Sequence, residues 1–303
     1  MKGIYIVAND KVINNSIALL NSIRLYDSEV PITLIPYDDN YHEILKILST
    51  TYQVNLYADL GFIDTLSNNL HNIFGQNFFA RPNQFRKQAC WFGEYDEFLY
   101  IDTDIVVFEK IISCLDYLKD NDFITCDYQG SKGIRNIFSE EVINRSIFTS
   151  DELKDVFNCG FWGSKKDLIS EDLLYETFKE CSKNPEYFDF SQKTSDQPII
   201  NYLVLKQIPR RLNLTKISDN EPGSWASSKH FTEQDHKLYD KGQPLRYLHW
   251  VGVPLKSGGP YYELWKHYRY LGEETPVSVE TRKKDYWQGL KNKAKSILKG
   301  DRP

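Results

Sequence analysis

The stretch "EFLYIDTDIVVF", residues 97–108, decides how this chain is read. It is an apolar strand, "FLYI", that runs out into Asp102 and Asp104 and is followed by a second apolar run, "IVVF". Two positions apart on extended chain, the two carboxylates point the same way. Burying one carboxylate without a partner is costly, and two close together repel until one is forced to hold its proton. A divalent cation removes both problems, because hard carboxylate oxygens suit Mg²⁺ or Mn²⁺ and such ions also hold phosphates. The alternative is two aspartates capping a turn, or a helix beginning at Ile105. Apolar strand on both sides is poor company for a surface turn.

The segments before this stretch alternate. "GIYIVAND" reads as a strand, "KVINNSIALLNSIRLY" as a helix, "PITLIPYDD" as a strand, "YHEILKILSTTY" as a helix and "QVNLYA" as a third strand. That alternation predicts a single Rossmann-like α/β sheet, mostly parallel, flanked by helices. Ligands of such sheets bind outside the carboxyl ends of the strands, which is where Asp102 and Asp104 fall. "NQFRKQACWFGEY" reads as helical, and "DFITCDY" and "VFNCGFWGSKKDL" as strands, the latter feeding a helix over 167–183. "SDQPIINYLVLKQ" reads as a helix capped by Ser195 or Asp196, and "LRYLHWVGVPLKSGG" as a short strand entering a Gly/Pro loop.

At 303 residues the chain is long enough for a sizeable core, and 41% hydrophobic with 26% charged residues is ordinary for a globular protein. The formal net charge of −5 gives no basic excess for nucleic acid. The N-terminus lacks the apolar run of a secretory signal, no window reaches bilayer-spanning length, and the five cysteines show no C-x-x-C. A cytoplasmic protein with reduced thiols is expected. After residue 275 the composition turns basic, with Trp287, Leu290, Ala294 and Ile297 at helical spacing among lysines. Residues 1–275 read as one domain. Residues 276–303 read as a basic amphipathic helical tail that either packs on it or lies at the inner membrane surface.

"EYDEFLYIDTDIVVF" resembles the D-x-D segment of nucleotide-sugar glycosyltransferases with the GT-A fold, most of all glycosyltransferase family 8. The order of motifs is similar over roughly residues 1–260. The resemblance implies that Asp102, Asp104 and His249 of "YLHWVGVPLKSG" bind Mn²⁺ (or Mg²⁺). It implies nucleoside contacts from Asn9 and Asp10 of "VAND", and a donor contact from Arg86 of "FRKQACWFGEY", with Lys87 beside it. The Thr103 backbone lies between the two aspartates. Asn158 and Gly160 of "FNCGFWGSKKDL" would face the donor sugar. Asp196 and Gln197 of "SDQPIINYL" would bind sugar hydroxyls near the anomeric carbon, and Gly252 and Lys256 would meet the pyrophosphate. The implied activity is transfer of a hexose from a UDP-sugar to a hydroxyl of a glycan or lipid-linked acceptor, with retention.

Taken singly, these residues also have structural readings. His249 could be a satisfied core histidine, Asp196 a helix cap and Asn158 a buried structural amide. The rival functions are an inverting GT-A transferase, a sugar nucleotidyltransferase, or a non-catalytic module that binds sugar nucleotides. A nucleotidyltransferase would want a Gly-rich basic loop after the first strand, and "VANDKVINN" has none. No G-x-G-x-x-G follows that strand either, which argues against a dinucleotide oxidoreductase.

Overall fold

The structure is a computed structural model that describes residues 1–75, 78–127, 137–191 and 196–273. The chain divides into two compact units, Met1–Arg269 and Tyr270–Pro303. Of the second, only residues 270–273 are described, and there the Glu273 N–H donates to the Tyr270 carbonyl. The basic tail and Ser195 lie outside the described residues.

The first unit opens with β1 (Lys2–Ala8), α1 (Ile13–Tyr26), β2 (Ile32–Pro36), α2 (His42–Tyr52), β3 (Asn55–Leu56) and α3 (Leu60–Phe74). A 3₁₀ helix, Pro82–Phe92, leads into β4 (Glu97–Ile101), β5 (Ile105–Val107) and β6 (Phe123–Thr125). Then come α4 (Glu141–Asn144), β7 (Phe161–Lys165), α5 (Glu171–Lys183), α6 (Asp196–Gln207) and β8 (Arg211–Asn213). The remainder is β9 (Thr232–Gln234), β10 (Lys237–Asp240), β11 (Gln243–Pro244), β12 (Tyr247–His249) and α7 (Tyr262–Arg269). No helix among the described residues is long and apolar enough to cross a membrane.

The main sheet has seven strands in the order β3-β2-β1-β4-β7-β6-β8. Its β3–β2, β2–β1, β1–β4 and β6–β8 pairs are parallel, and β7 runs antiparallel to both its neighbours. The expected mostly parallel α/β sheet is therefore present. Alternate residues of each strand serve opposite faces. Tyr5, Phe98 and Tyr100 join the core beneath α3, α5 and α6, whereas Ile4, Ile6, Leu99 and Ile101 join the core beneath α1 and α2. With both faces covered, the strands read as near-continuous apolar runs. Helix α6 is buried from Pro198 to Leu205, so its apolar residues surround it instead of forming one stripe.

Two details differ from the sequence reading. Helix α3 was not expected, although Ile63, Leu66 and Leu70 form its buried stripe and Asp59 caps it by accepting the Phe62 N–H at 2.8 Å. The chain also leaves the main sheet at Ile101, so Asp102, Thr103 and Asp104 form a turn between β4 and β5. No helix starts at Ile105; β5 pairs antiparallel with β12 as a separate two-stranded sheet. The turn and the buried-acid readings thus describe one feature: the turn is internal because strands lie on both sides of it.

Gly163 sits in register between Leu99 of β4 and Ile124 of β6. A Cβ there would come within 2.8 to 3.0 Å of Ile124, Leu99 and Leu115. Gly163→Ala is expected to destabilise the fold by about 1–3 kcal/mol through overpacking. Urea unfolding checks this as a lower midpoint with an unchanged slope.

Candidate functional site

The pairing of β5 with β12 builds the cluster. His249 lies opposite Ile105, one residue beyond Asp104. The His249 N–H donates to Ser224 O at 2.7 Å and the Trp250 N–H to Asp104 O at 3.1 Å, which fixes both backbones. The His249 ring nitrogen Nε2 then lies 3.2 Å from Asp104 Oδ1. One ligand atom each from Asp102, Asp104 and His249 falls within 4.8 Å of the others.

This donor set fits a hard divalent ion. Cis ligands about 2.1 Å from an octahedral ion lie roughly 3 Å apart, and the imidazole–carboxylate spacing is close to that. The set has two anionic oxygens and one imidazole, which suits Mn²⁺ or Mg²⁺ better than a thiophilic metal. Gly160 makes room for it. Its carbonyl accepts the Asp102 N–H at 2.7 Å, and a Cβ there would fall on His249 Cε1 and 2.8 Å from Asp102 Oδ2.

The charges respond to one another. Burial, joined by repulsion from Asp104, pushes the Asp102 carboxyl above the ordinary range, while the Tyr100 hydroxyl donates to it. Burial would raise Asp104 as well, but the His249 imidazole outweighs it and holds Asp104 low. Conversely, burial would lower His249, and Asp104 outweighs that and holds the imidazolium above its usual range.

A cavity of about 260 Å³ opens beside Asp102 and is lined by Lys87, Tyr100 and Asp196 as well as Val7 and Tyr37 from the ends of β1 and β2. Lys87 Nζ lies 2.7 Å from Asp196 Oδ2 and 5.1 Å from the centre of the Tyr100 ring. Burial acts to lower this ammonium, yet Asp196, Tyr100 and Asp102 together hold it well above the usual lysine range. Arg86, named from the sequence, is turned away. Its guanidinium donates to Pro36 O at 2.8 Å and pairs with Asp64 of α3. The residue facing the cavity is its neighbour Lys87, because one step along the 3₁₀ helix changes the face presented.

Asn158 and Gln197 meet directly, with Asn158 Nδ2 donating to Gln197 Oε1 at 2.9 Å. Asn158 Oδ1 accepts the Gly160 N–H at 2.9 Å. Two residues that sequence reasoning missed hold this segment. Asn201 exchanges hydrogen bonds with both the N–H and the carbonyl of Phe157, each at 2.8 Å. It is the terminal Asn of the D-Q-x-x-[IL]-N pattern, so its signal was present. Asp127 accepts the Asn158 N–H and is 1% exposed, and burial pushes its carboxyl up to about 7. Nothing in "DFITCDY" marked it.

The remaining nominees lie around the edges. Asn9 caps a 3₁₀ turn by accepting the Lys11 N–H and donates to Asp38 Oδ2 at 2.8 Å. Asp10 Oδ1 accepts the Ile44 N–H at the start of α2. Both side chains thus order the loops after β1 and β2. Thr103 occupies the Asp102–Asp104 turn. Gly252, at φ +65, allows a left-handed turn after β12, and Lys256 is exposed on the same loop. All five cysteines are free and buried, with their thiols pushed up by that burial, so they offer no thiolate.

Two outcomes follow from this geometry. Gly160→Ala is expected to weaken Mn²⁺ binding by at least about tenfold, a loss of ~1.4 kcal/mol, measured by electron paramagnetic resonance titration. Metal binding also requires neutral His249. Because Asp104 raises its pKa, the proton competes to higher pH, so Mn²⁺ affinity is expected to keep rising from about pH 6.5 upward. The same titration at several pH values checks it.

Comparison with known proteins places the fold. A family model described as "Mannosyltransferase putative" matches residues 1–119. No curated protein matches the chain by sequence. Among solved structures, the bifunctional glycosyltransferase WbbM is 16% identical with a TM-score of 0.59, over 93% of this chain and 51% of that one. The galactosyltransferase LgtC, solved with donor and acceptor sugar analogues, is 13% identical with a TM-score of 0.58, over 94% of this chain and 100% of that one. GlyE of Streptococcus pneumoniae TIGR4 is 16% identical with a TM-score of 0.54, over 89% of this chain and 60% of that one. The chain spans about half the length of WbbM and the whole of LgtC. By fold, then, this chain has the GT-A architecture of these structures.

Proposed function

We propose that the chain transfers a hexose from a nucleotide-diphospho-sugar, a UDP-hexose first of all, to a hydroxyl of a glycan or lipid-linked glycan, using Mn²⁺. The observation that carries this reading is the convergence of Asp102, Asp104 and His249 within 4.8 Å beside a cavity lined by Lys87 and Asp196. When bound there, the cation supplies Lewis-acid neutralisation of the leaving nucleoside diphosphate.

The chain's own residues would do the rest. Asp102, Asp104 and His249 hold the ion at the open end of β4. The Lys87–Asp196 pair and the Asn158–Gln197 pair offer donors and acceptors to the sugar hydroxyls beside it. Asp196 already faces a lysine ammonium, which makes it a poor free nucleophile. This supports retention by attack on the same face as departure. The anomeric carbon–diphosphate oxygen bond breaks, the acceptor oxygen bonds that carbon, and the acceptor proton passes to the departing phosphate. Fold likeness to LgtC favours the UDP-hexose, while the mannosyltransferase family model earns GDP-mannose a place beside it in any donor panel.

Release of nucleoside diphosphate from such a panel, with and without Mn²⁺, tests the reading. Asp104→Ala is expected to abolish release. Lys87→Met is expected to lower kcat at least about tenfold while Mn²⁺-dependent nucleotide binding stays within about threefold. Proton NMR of the product settles the stereochemistry: an α-linked product from an α-linked donor is expected, and a β-linked one would overturn retention.

A further inference from the structure

A second cavity, of about 710 Å³, shares no lining residue with the one at Asp102. It lies at the other end of β4, where Gly93 and Glu94 precede the strand, and not where Asp102 follows it. Its floor is one lateral row of the sheet: Tyr5 of β1, Thr33 of β2 and Asn55 of edge strand β3 are register partners and present the same face. Its walls are Phe62 of α3 and Phe92 from the end of the 3₁₀ helix, packed edge to face at 5.3 Å, together with Tyr57.

Two carboxylates complete it. Glu94 Oε1 accepts the Thr33 hydroxyl at 3.0 Å, and Asp59 Oδ1 caps α3 by accepting the Phe62 N–H at 2.8 Å. Neither forms an ion pair among the described residues, and no lysine or arginine lines the cavity. The volume is that of a small-molecule site. Aromatic faces are attracted to cations, and two uncompensated carboxylates beside them repel phosphate and other anions. A nucleotide is therefore the wrong occupant.

We propose that this cavity is a binding site for an organic cation, a substituted ammonium with an apolar body, held by Glu94 and Asp59 against Phe62, Phe92 and Tyr57. The site is independent of the metal cluster and of the transfer reaction.

Choline and benzyltrimethylammonium serve as probes, titrated into the full chain by isothermal calorimetry or followed by saturation-transfer NMR. The uncharged isostere 3,3-dimethyl-1-butanol and the neutral sugar maltose serve as controls. A cation is expected to bind at least about tenfold more tightly than the isostere. Glu94→Gln is expected to weaken it about tenfold, and Phe62→Leu, which keeps an apolar side chain but removes the π face, severalfold. Glu94 is exposed, so its substitution does not threaten folding, and UDP binding with Mn²⁺ is expected to be unchanged in both variants. Three results overturn the proposal: neither cation binding at millimolar concentration, the isostere or maltose binding as well as the cations, or cation binding indifferent to both substitutions.

Discussion

Two half-buried carboxylates and a buried imidazole crowded within 4.8 Å have to be balanced by something. The imidazole and the Lys87 ammonium do part of this. Asp104 and His249 stabilise each other's charged forms, and Asp102 is left pushed towards its proton. A bound divalent cation would neutralise both carboxylates at once while leaving His249 uncharged and able to ligate. The local architecture brings the three groups together. The chain leaves the main sheet after Ile101 so that β5 can pair with β12, which is how a histidine 145 residues beyond Asp104 reaches it.

The surroundings keep this arrangement rigid. Gly160 brings its backbone against Asp102 and His249, where a Cβ would press on both side chains. Asn201, fully buried in α6, ties down Phe157, and Asp127 ties down Asn158. The segment from Phe157 to Gly160 is therefore held by hydrogen bonds from both sides, with Phe157 and Cys159 packed in the core. Buried polar groups satisfied in this way specify one geometry. Lys87 plays the matching electrostatic role on the other wall, offsetting Asp196 and Asp102 in a cavity that would otherwise be strongly negative.

Much of this was legible in the sequence. The alternation of apolar strands and amphipathic helices was enough for the parallel α/β sheet, because burial on both faces leaves continuous apolar runs such as "GIYIV" and "EFLYI". Asp102 and Asp104 stood out because acids amid apolar strand are costly without a purpose, whereas His249 was reached only through the family resemblance. What escaped is what depends on direction and distance in space. Arg86 and Lys87 are neighbours in sequence, and only the local 3₁₀ winding decides which faces the cavity. Asp127 carries no motif in the strand read from "DFITCDY", and its role arises from the Asn158 N–H, which lies 31 residues away. The second cavity, too, is built from four separate segments, with no motif among them.

The central claim is that Asp102, Asp104 and His249 form one cation site that receives a nucleoside diphosphate. Calorimetric titration of UDP into the chain with and without Mn²⁺, on the parent chain and on His249→Ala, tests it most directly. The account predicts saturable one-to-one UDP binding that requires Mn²⁺ and is lost in His249→Ala while the fold is retained. UDP binding of equal strength without the metal, or undiminished in His249→Ala, would contradict it.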